Sequence, residues 1–505
     1  MSTINLVTTN TANTTTTTAN NENQNKLSKG PYVVIATVVW EFFSFFGMCA
    51  LLILYLTQSL HLSDKYAYSL YGVYTSLVYL TPIIGGFAAD RYLGNRLSVI
   101  IGAILIMLGH FTLAITSMWS LYFGLALLIC GVGLFKASAI CLIGEYYPNQ
   151  NDRNSAFMLY YIGGNIGAAI APIICGYVAA RFGFEYGFAA AGIGMFFGLC
   201  ILFRYRKYLK GMGNPRISFY ATSGRINLKI IAIGSALLCL FLLATNFVII
   251  ELWSGGVIII ATIVAIFYSS KIYLSSNKDM RKGLLLGFML TIVGVLFWIF
   301  VQQGGSSISL FIERFVNRDL SWSINSKIIN YTIPTAMFQA INPASIVIFG
   351  GIIAFLLKKI ANTKFAPSST LQVIFGVMLL TLGYILITLS AKNAELSKTS
   401  MWWVISGMTL FSAAEIFIDP VILGVLTKSA PANSLSTLTA IYYLFVGAIA
   451  NYLAAQVAKL TAAPTTHAVL ALYKNTYTEV VYVGCAMLII LLATYTLKRC
   501  LVNVK

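Results

Sequence analysis

The chain reads as an all-α membrane protein: two six-helix bundles joined by a basic linker and a two-helix hairpin, about fourteen spans in all. Three observations predict this. First, 58% of the 505 residues are hydrophobic and only 10% are charged. A water-soluble chain of this length could not hide so much apolar surface. Second, apolar runs of about 20 residues recur along the chain, the length that crosses a hydrocarbon core. Third, Lys and Arg gather in alternate loops, as they do on the cytoplasmic side of membrane proteins.

The elements follow in order. Residues 1–30 are polar, rich in Thr and Asn and almost uncharged, which predicts a disordered tail. The tail has neither the basic start nor the apolar stretch of a signal peptide, so the first span is expected to act as the insertion signal. A first bundle is expected over 31–207, with spans at about 32–59, 66–89, 96–116, 119–141, 155–180 and 184–203. A basic linker and a hairpin fill 208–280, the hairpin helices falling at about 229–250 and 253–273. The hairpin carries a single acid, Glu251, at its turn, and reads as a lipid-facing accessory. A second bundle is expected over 281–500, with spans at about 283–303, 329–357, 370–390, 400–427, 433–458 and 478–497.

The charges give the topology and narrow the function. With both termini in the cytoplasm, inside loops collect roughly 23 of the 33 Lys and Arg residues and outside loops roughly 9. This places the protein in the cell (inner) membrane as a multi-pass chain. The net charge of +18 therefore reads as topology, and no nucleic-acid partner is implied. The cysteines sit mostly in apolar runs, and His61, His110 and His467 are far apart. No metal or disulfide spacing and no nucleophile with a base partner appear, so neither a cofactor nor an enzyme is expected.

Four ionisable residues sit well inside apolar runs: Glu41, Lys136, Glu415 and Asp419. A charge at the bilayer centre costs roughly 2.5–3.5 kcal/mol on insertion scales, so such residues point to a polar pathway. Two six-helix halves joined by a basic linker form the plan of the major facilitator transporters, whose site lies at mid-depth between the halves. The loop after the second span, GGFAADRYLGNR from Gly85 to Arg96, resembles the loop motif of that superfamily. The resemblance implies a gating role for Asp90, Arg91 and Arg96 rather than contact with cargo.

Further segments resemble one family, the proton-dependent oligopeptide transporters. They are WEFFSFFGMCALLILYL from Trp40, YGVYTSLVYLTPIIGGFAAD ending at Asp90, GVGLFKASA containing Lys136 and LYYIGGNIGAAIAP containing Asn165. FWIFVQQGGSS from Phe297, FQAINP with Asn342 and SAAEIFIDPVILGVLTKSAP with Glu415 complete the series, in order over nearly the whole chain. The implied activity is proton-coupled symport of di- or tripeptides, or peptide-like solutes, by alternating access. The implied partners are the peptide, protons and the lipid bilayer.

A zwitterionic peptide needs an opposite charge at each end, and the resemblance assigns its amine to Glu415 and its carboxylate to Lys136. The alternatives are a snorkelling lysine and a neutral carboxyl buried in a helix interface. The resemblance also puts Asn165 and Asn342 in the pocket. Asn342 precedes Pro343 and reads equally as a residue satisfying backbone groups at a kink. Tyr79, Tyr161, Phe297, Trp298 and Gln302 are candidate pocket side chains. Asp419 lies one turn after Glu415, which makes it a proton-carrier candidate with Glu41 and Glu415. Next to Pro420, it also reads as a partner for kinked backbone.

The chain departs from the family in its first span. Where members typically carry E-x-x-E-R-F-x-Y-Y, this chain has Val38, Glu41, Phe42 and Phe45–Phe46, and a further Arg is Cys49. A frequent acid in the seventh span is Gln302. Arginine holds a carboxylate through two parallel hydrogen bonds, and that clamp is gone. Three expectations follow: the carboxylate end of a cargo meets Lys136 alone, proton coupling is rewired or lost, and the pocket favours more hydrophobic or less anionic cargo. The alternative function is an uncoupled or differently coupled carrier or exporter of another small organic solute on the same fold.

Overall fold

The computed structural model describes residues 29–147, 150–214, 251–324, 327–360, 363, 366–463 and 466–503. Thirteen helices among them are long and apolar enough to cross a membrane. They are α1 (Gly30–Ser59), α2 (Asp64–Leu93), α3 (Asn95–Leu113), α4 (Met118–Tyr146), α5 (Asp152–Phe182) and α6 (Phe184–Arg204). Then come α7 (Gly255–Ser275), α8 (Lys278–Phe315), α9 (Thr335–Ile360), α10 (Ser369–Asn393), α11 (Met401–Ser429), α12 (Leu435–Lys459) and α13 (Ala468–Thr496). Each matches an expected span. The expected hairpin helix at 229–250 and nearly all of the expected tail lie outside the described residues.

Local chemistry sets the helix ends. Ser63 accepts a hydrogen bond from the Tyr66 amide at the start of α2, and Ser117 and Ser120 form a reciprocal capping box at the start of α4. Gly94 (φ 75°) and Gly183 (φ 117°) make the tight links α2–α3 and α5–α6, where a side chain would be strained. Small residues then let helices approach closely. An added Cβ at Gly109 would lie 3.0 Å from the carbonyl of Gly124, which joins α3 to α4.

Two hydrophobic cores result. One is built chiefly from α1–α6 and the other from α8 and α10–α13. Helix α7 rests at the seam, with Ile258 and Ala265 against Ile441, Leu444 and Ala448 of α12. Its Ile259, Ile260, Ile263 and Phe267 are exposed, the surface a lipid-facing accessory needs.

Two boundaries differ from expectation. Residues expected at the start of the eighth bundle span form a strand instead. β2 (Asp319–Ile324) pairs antiparallel with β3 (Lys327–Thr332), while β1 (Val316–Asn317) pairs with β4 (Thr399–Ser400). Period-two alternation in DLSWSI carries that signal for β2, and β3 follows as its hairpin partner. Helix α8 also breaks at Gln302–Gly305 and resumes at Ser307–Phe315. Gly305 leaves room for the Tyr71 hydroxyl, which would lie 2.2 Å from an added Cβ.

The halves close against each other at the cation-poor face. Arg314 Nη1 and Nη2 donate to Asp64 Oδ2 and Oδ1 at 2.6 and 2.7 Å, a two-pronged ion pair between α8 and α2. The hydroxyls of Tyr68 and Tyr473 lie 3.1 Å apart, and Thr461 donates to Tyr68 at 3.3 Å. Gly72 of α2 abuts Ala455 of α12, with no space for a Cβ. Gly72→Leu should therefore force this face apart. Spin labels at Leu62 and Leu396 should report a longer inter-half distance in the variant; an unchanged distribution contradicts the closure described.

Candidate functional site

A cavity of about 200 Å³ lies at the seam of the two bundles. Its wall is built from helical stripes spaced three or four residues apart, so each helix turns one face to it. Helix α1 contributes Phe42, Phe45, Phe46 and Cys49, α2 contributes Tyr71, Thr75 and Tyr79, and α5 contributes Tyr161 and Asn165. From the other half come Trp298, Val301, Gln302 and Gly305 of α8, Gln339, Asn342 and Ile346 of α9, Met408, Phe411 and Glu415 of α11, and Asn451 of α12.

The C-terminal side of the wall is a hydrogen-bonded polar surface. Asn342 Nδ2 donates to Glu415 Oε2 at 3.1 Å and to Ser412 Oγ at 3.2 Å, which fixes the carboxyl in the wall. Asn342 thus acts on Glu415 itself, rather than on backbone at a kink. Gln339 donates to the Gly304 carbonyl and to Ser309 Oγ, bracing the break in α8. Asp419 lies behind the wall. Its Oδ1 accepts from Trp298 Nε1 at 3.1 Å and from the Tyr442 hydroxyl at 2.6 Å, so its side chain ties α8 and α12 to α11.

The N-terminal side is aromatic. Lys136 is absent from the wall and sits behind it. Its ammonium is 5.3, 5.0 and 5.4 Å from the ring centroids of Phe42, Phe45 and Tyr79, each within cation–π range. All three rings are wall residues, so the half-buried cation lies against the surface it was expected to form part of. Among the described residues no carboxylate pairs with it. Glu41 is the acid that interacts with it electrostatically; it is 1% exposed, and neither of its oxygens has a hydrogen-bond partner.

The other expected residues distribute as follows. Tyr79, Tyr161, Asn165, Trp298, Gln302, Asn342 and Glu415 all reach the wall. Asn165 Nδ2 donates to the Tyr161 carbonyl at 2.9 Å. Phe297, by contrast, is fully buried in the second core, its ring edge-to-face with that of Trp298 at 5.6 Å. Asp90 and Arg91 are exposed far from the cavity, and Arg91 stacks over Phe87 at 4.8 Å. Arg96 donates to the Leu209 carbonyl at 3.1 Å, tying the α2–α3 loop to the segment after α6. The sequence analysis missed Tyr71, Thr75, Gln339, Met408 and Asn451 as wall residues. Their three-and-four spacing from Tyr79, Asn342 and Glu415 was the available signal for most of them.

Comparison with known proteins agrees with this architecture. The POT family pattern matches residues 96–480. The chain is 30% identical over 446 residues to the uncharacterized transporter YclF of Bacillus subtilis (strain 168), covering 86% of this chain and 88% of the relative. It is 30% identical over 453 residues to a di-/tripeptide transporter of Lactococcus lactis subsp. lactis (strain IL1403), covering 84% and 89%. The crystal structure of a POT family transporter in complex with 5-aminolevulinic acid superimposes with a TM-score of 0.77 at 26% identity, covering 91% of this chain and 96% of that one. PepTSo2 shares the fold with a TM-score of 0.78 at 24% identity, covering 94% and 99%. A match over most of the chain, on a fold with two bundles and a cavity at their seam, makes this chain a multi-pass membrane transporter that belongs to the POT family.

Proposed function

We propose that the protein is a secondary active transporter that moves di- or tripeptides, or peptide-like solutes, together with protons by alternating access. The observation that carries this reading is the seam cavity with Glu415 held in its wall by Asn342. A carboxyl in that position binds a cationic amine through a charge-assisted hydrogen bond. Relatives support the class of cargo: one is named a di-/tripeptide transporter, and a structural relative is in complex with 5-aminolevulinic acid, a small amino acid.

The cycle follows from the two cores. Cargo bridging Glu415 on α11 and Asn165 on α5 contacts both halves, and only a ligand that binds one arrangement better can shift the balance between arrangements. The ion pair Asp64–Arg314 and the Tyr68–Tyr473 contact close the cation-poor face. With the positive-inside orientation, both termini are cytoplasmic in the cell membrane and this arrangement is the one that releases cargo inward. The loop with Asp90, Arg91 and Arg96 lies at the opposite face and serves as the gate there. The proton carriers are Glu41, Glu415 and Asp419, the acids held at mid-depth.

Two outcomes are expected. In proteoliposomes at one internal pH, uptake of a labelled peptide-like amine should rise with an imposed inward proton gradient and fall when a protonophore collapses it. Uptake indifferent to the gradient would remove the symport claim and leave the carrier. Glu415→Gln should weaken amine binding by about tenfold or more, the scale of a lost hydrogen bond to a charged group. Asn342→Ala should weaken it less. Isothermal titration against the purified parent checks both, and equal affinity in Glu415→Gln contradicts the assignment.

A further inference from the structure

Resting on the reading of the seam cavity as the cargo site, we infer that this chain selects cargo with one positive charge and no free carboxylate. The chemical class is a peptide-like amine whose C-terminal end is amidated, esterified or otherwise neutral.

The wall supplies the first part of the case. Among its described residues it carries one carboxyl, Glu415, and no ammonium, guanidinium or imidazole. A second acid, Asp419, lies behind it on the same side, its Oδ1 accepting from Trp298 and Tyr442. The field in the cavity therefore favours a cation.

Lys136 supplies the second part. Its ammonium already faces three rings at 5.0 to 5.4 Å. A carboxylate brought to the N-terminal side meets Phe42, Phe45 and Tyr79 instead of the cation. The negative face of an aromatic ring attracts cations and not anions. An anion buried without a partner has lost its hydration for nothing in return. A neutral amide or ester loses far less, and the Oδ1 and amide groups of Asn165 and Gln302 in the wall suit its dipole.

Phe42 is the position that decides this. It stands where the motif resembled by the first span carries an arginine, its ring caps Lys136, and it packs against Phe46 and Tyr160 at 5.9 and 6.1 Å. The same substitution removes a carboxylate clamp and screens the remaining cation.

The test uses the full chain in proteoliposomes at pH 6.5, where the free amines of the probes are protonated. Counterflow of labelled Leu-Ala-amide is competed with Leu-Ala-amide, Leu-Ala and N-acetyl-Leu-Ala-amide. The expected result is that the amide competes at least tenfold more strongly than the free acid, and the acetylated probe does not compete. Phe42→Arg should narrow or reverse the preference toward the free acid. If that variant does not fold, the comparison of probes in the parent decides alone. Free Leu-Ala matching or exceeding the amide in the parent overturns the selectivity and leaves the carrier reading standing. No counterflow of the amide, with none of the probes binding the purified protein, overturns both.

Discussion

A cation at the middle of a bilayer has to be held by something, and here Lys136 is held by three rings. Each cation–π contact contributes about 0.5–2 kcal/mol when shielded from water, so three of them offset an insertion cost of roughly 2.5–3.5 kcal/mol. The arrangement ties α4 to α1 and α2 through Phe42, Phe45 and Tyr79. Those rings are at once the cage of the lysine and the wall of the cavity. The residue behind the wall therefore shapes the surface in front of it. Glu41, on the same helix as two of the rings, is 1% exposed and neither of its oxygens has a hydrogen-bond partner.

The two halves solve the problem of polarity in oil differently. The first half keeps its mid-span charges out of the wall and lines the cavity with aromatic faces, a thiol, a few hydroxyls and the Asn165 amide. The second half exposes a carboxyl and steadies it through Asn342 and Ser412, while a second carboxyl anchors Trp298 and Tyr442. Polar groups fully connected in this way rigidify a surface. Between the halves, backbones come close where Gly72 meets Ala455 and Gly447 meets Tyr79, and the ion pair Asp64–Arg314 closes one end. Small contact residues and one strong ion pair form an interface that separates without leaving large apolar surfaces unpaired.

Much of the fold was legible because oil imposes a simple code. Run length gave every span among the described residues, and the four stranded charges pointed to the seam. The family resemblance pointed to Asn165, Asn342 and Glu415, and Tyr79, Tyr161 and Trp298 were candidate aromatics; all six reach the cavity. What stayed hidden depends on groups that meet only in three dimensions. Phe42 read as a missing arginine, and nothing local showed that its ring would cover Lys136 from a different helix. Asp419 beside Pro420 suggested a kink, whereas its oxygen is held by donors from α12 and α8, 23 and 121 residues away along the chain. Phe297 and Trp298 are neighbours in sequence with rings in contact, and only packing decides which one the cavity receives. At the break in α8 the Tyr71 hydroxyl approaches Gly305, another contact between distant segments.

The most direct test of this account is a structure of the protein with a bound amine of peptide-like shape. The account places the amine within hydrogen-bond distance of Glu415, with Phe42, Phe45 and Tyr79 still closed over Lys136. A bound carboxylate touching the Lys136 ammonium, with the Phe42 ring swung aside, would contradict it.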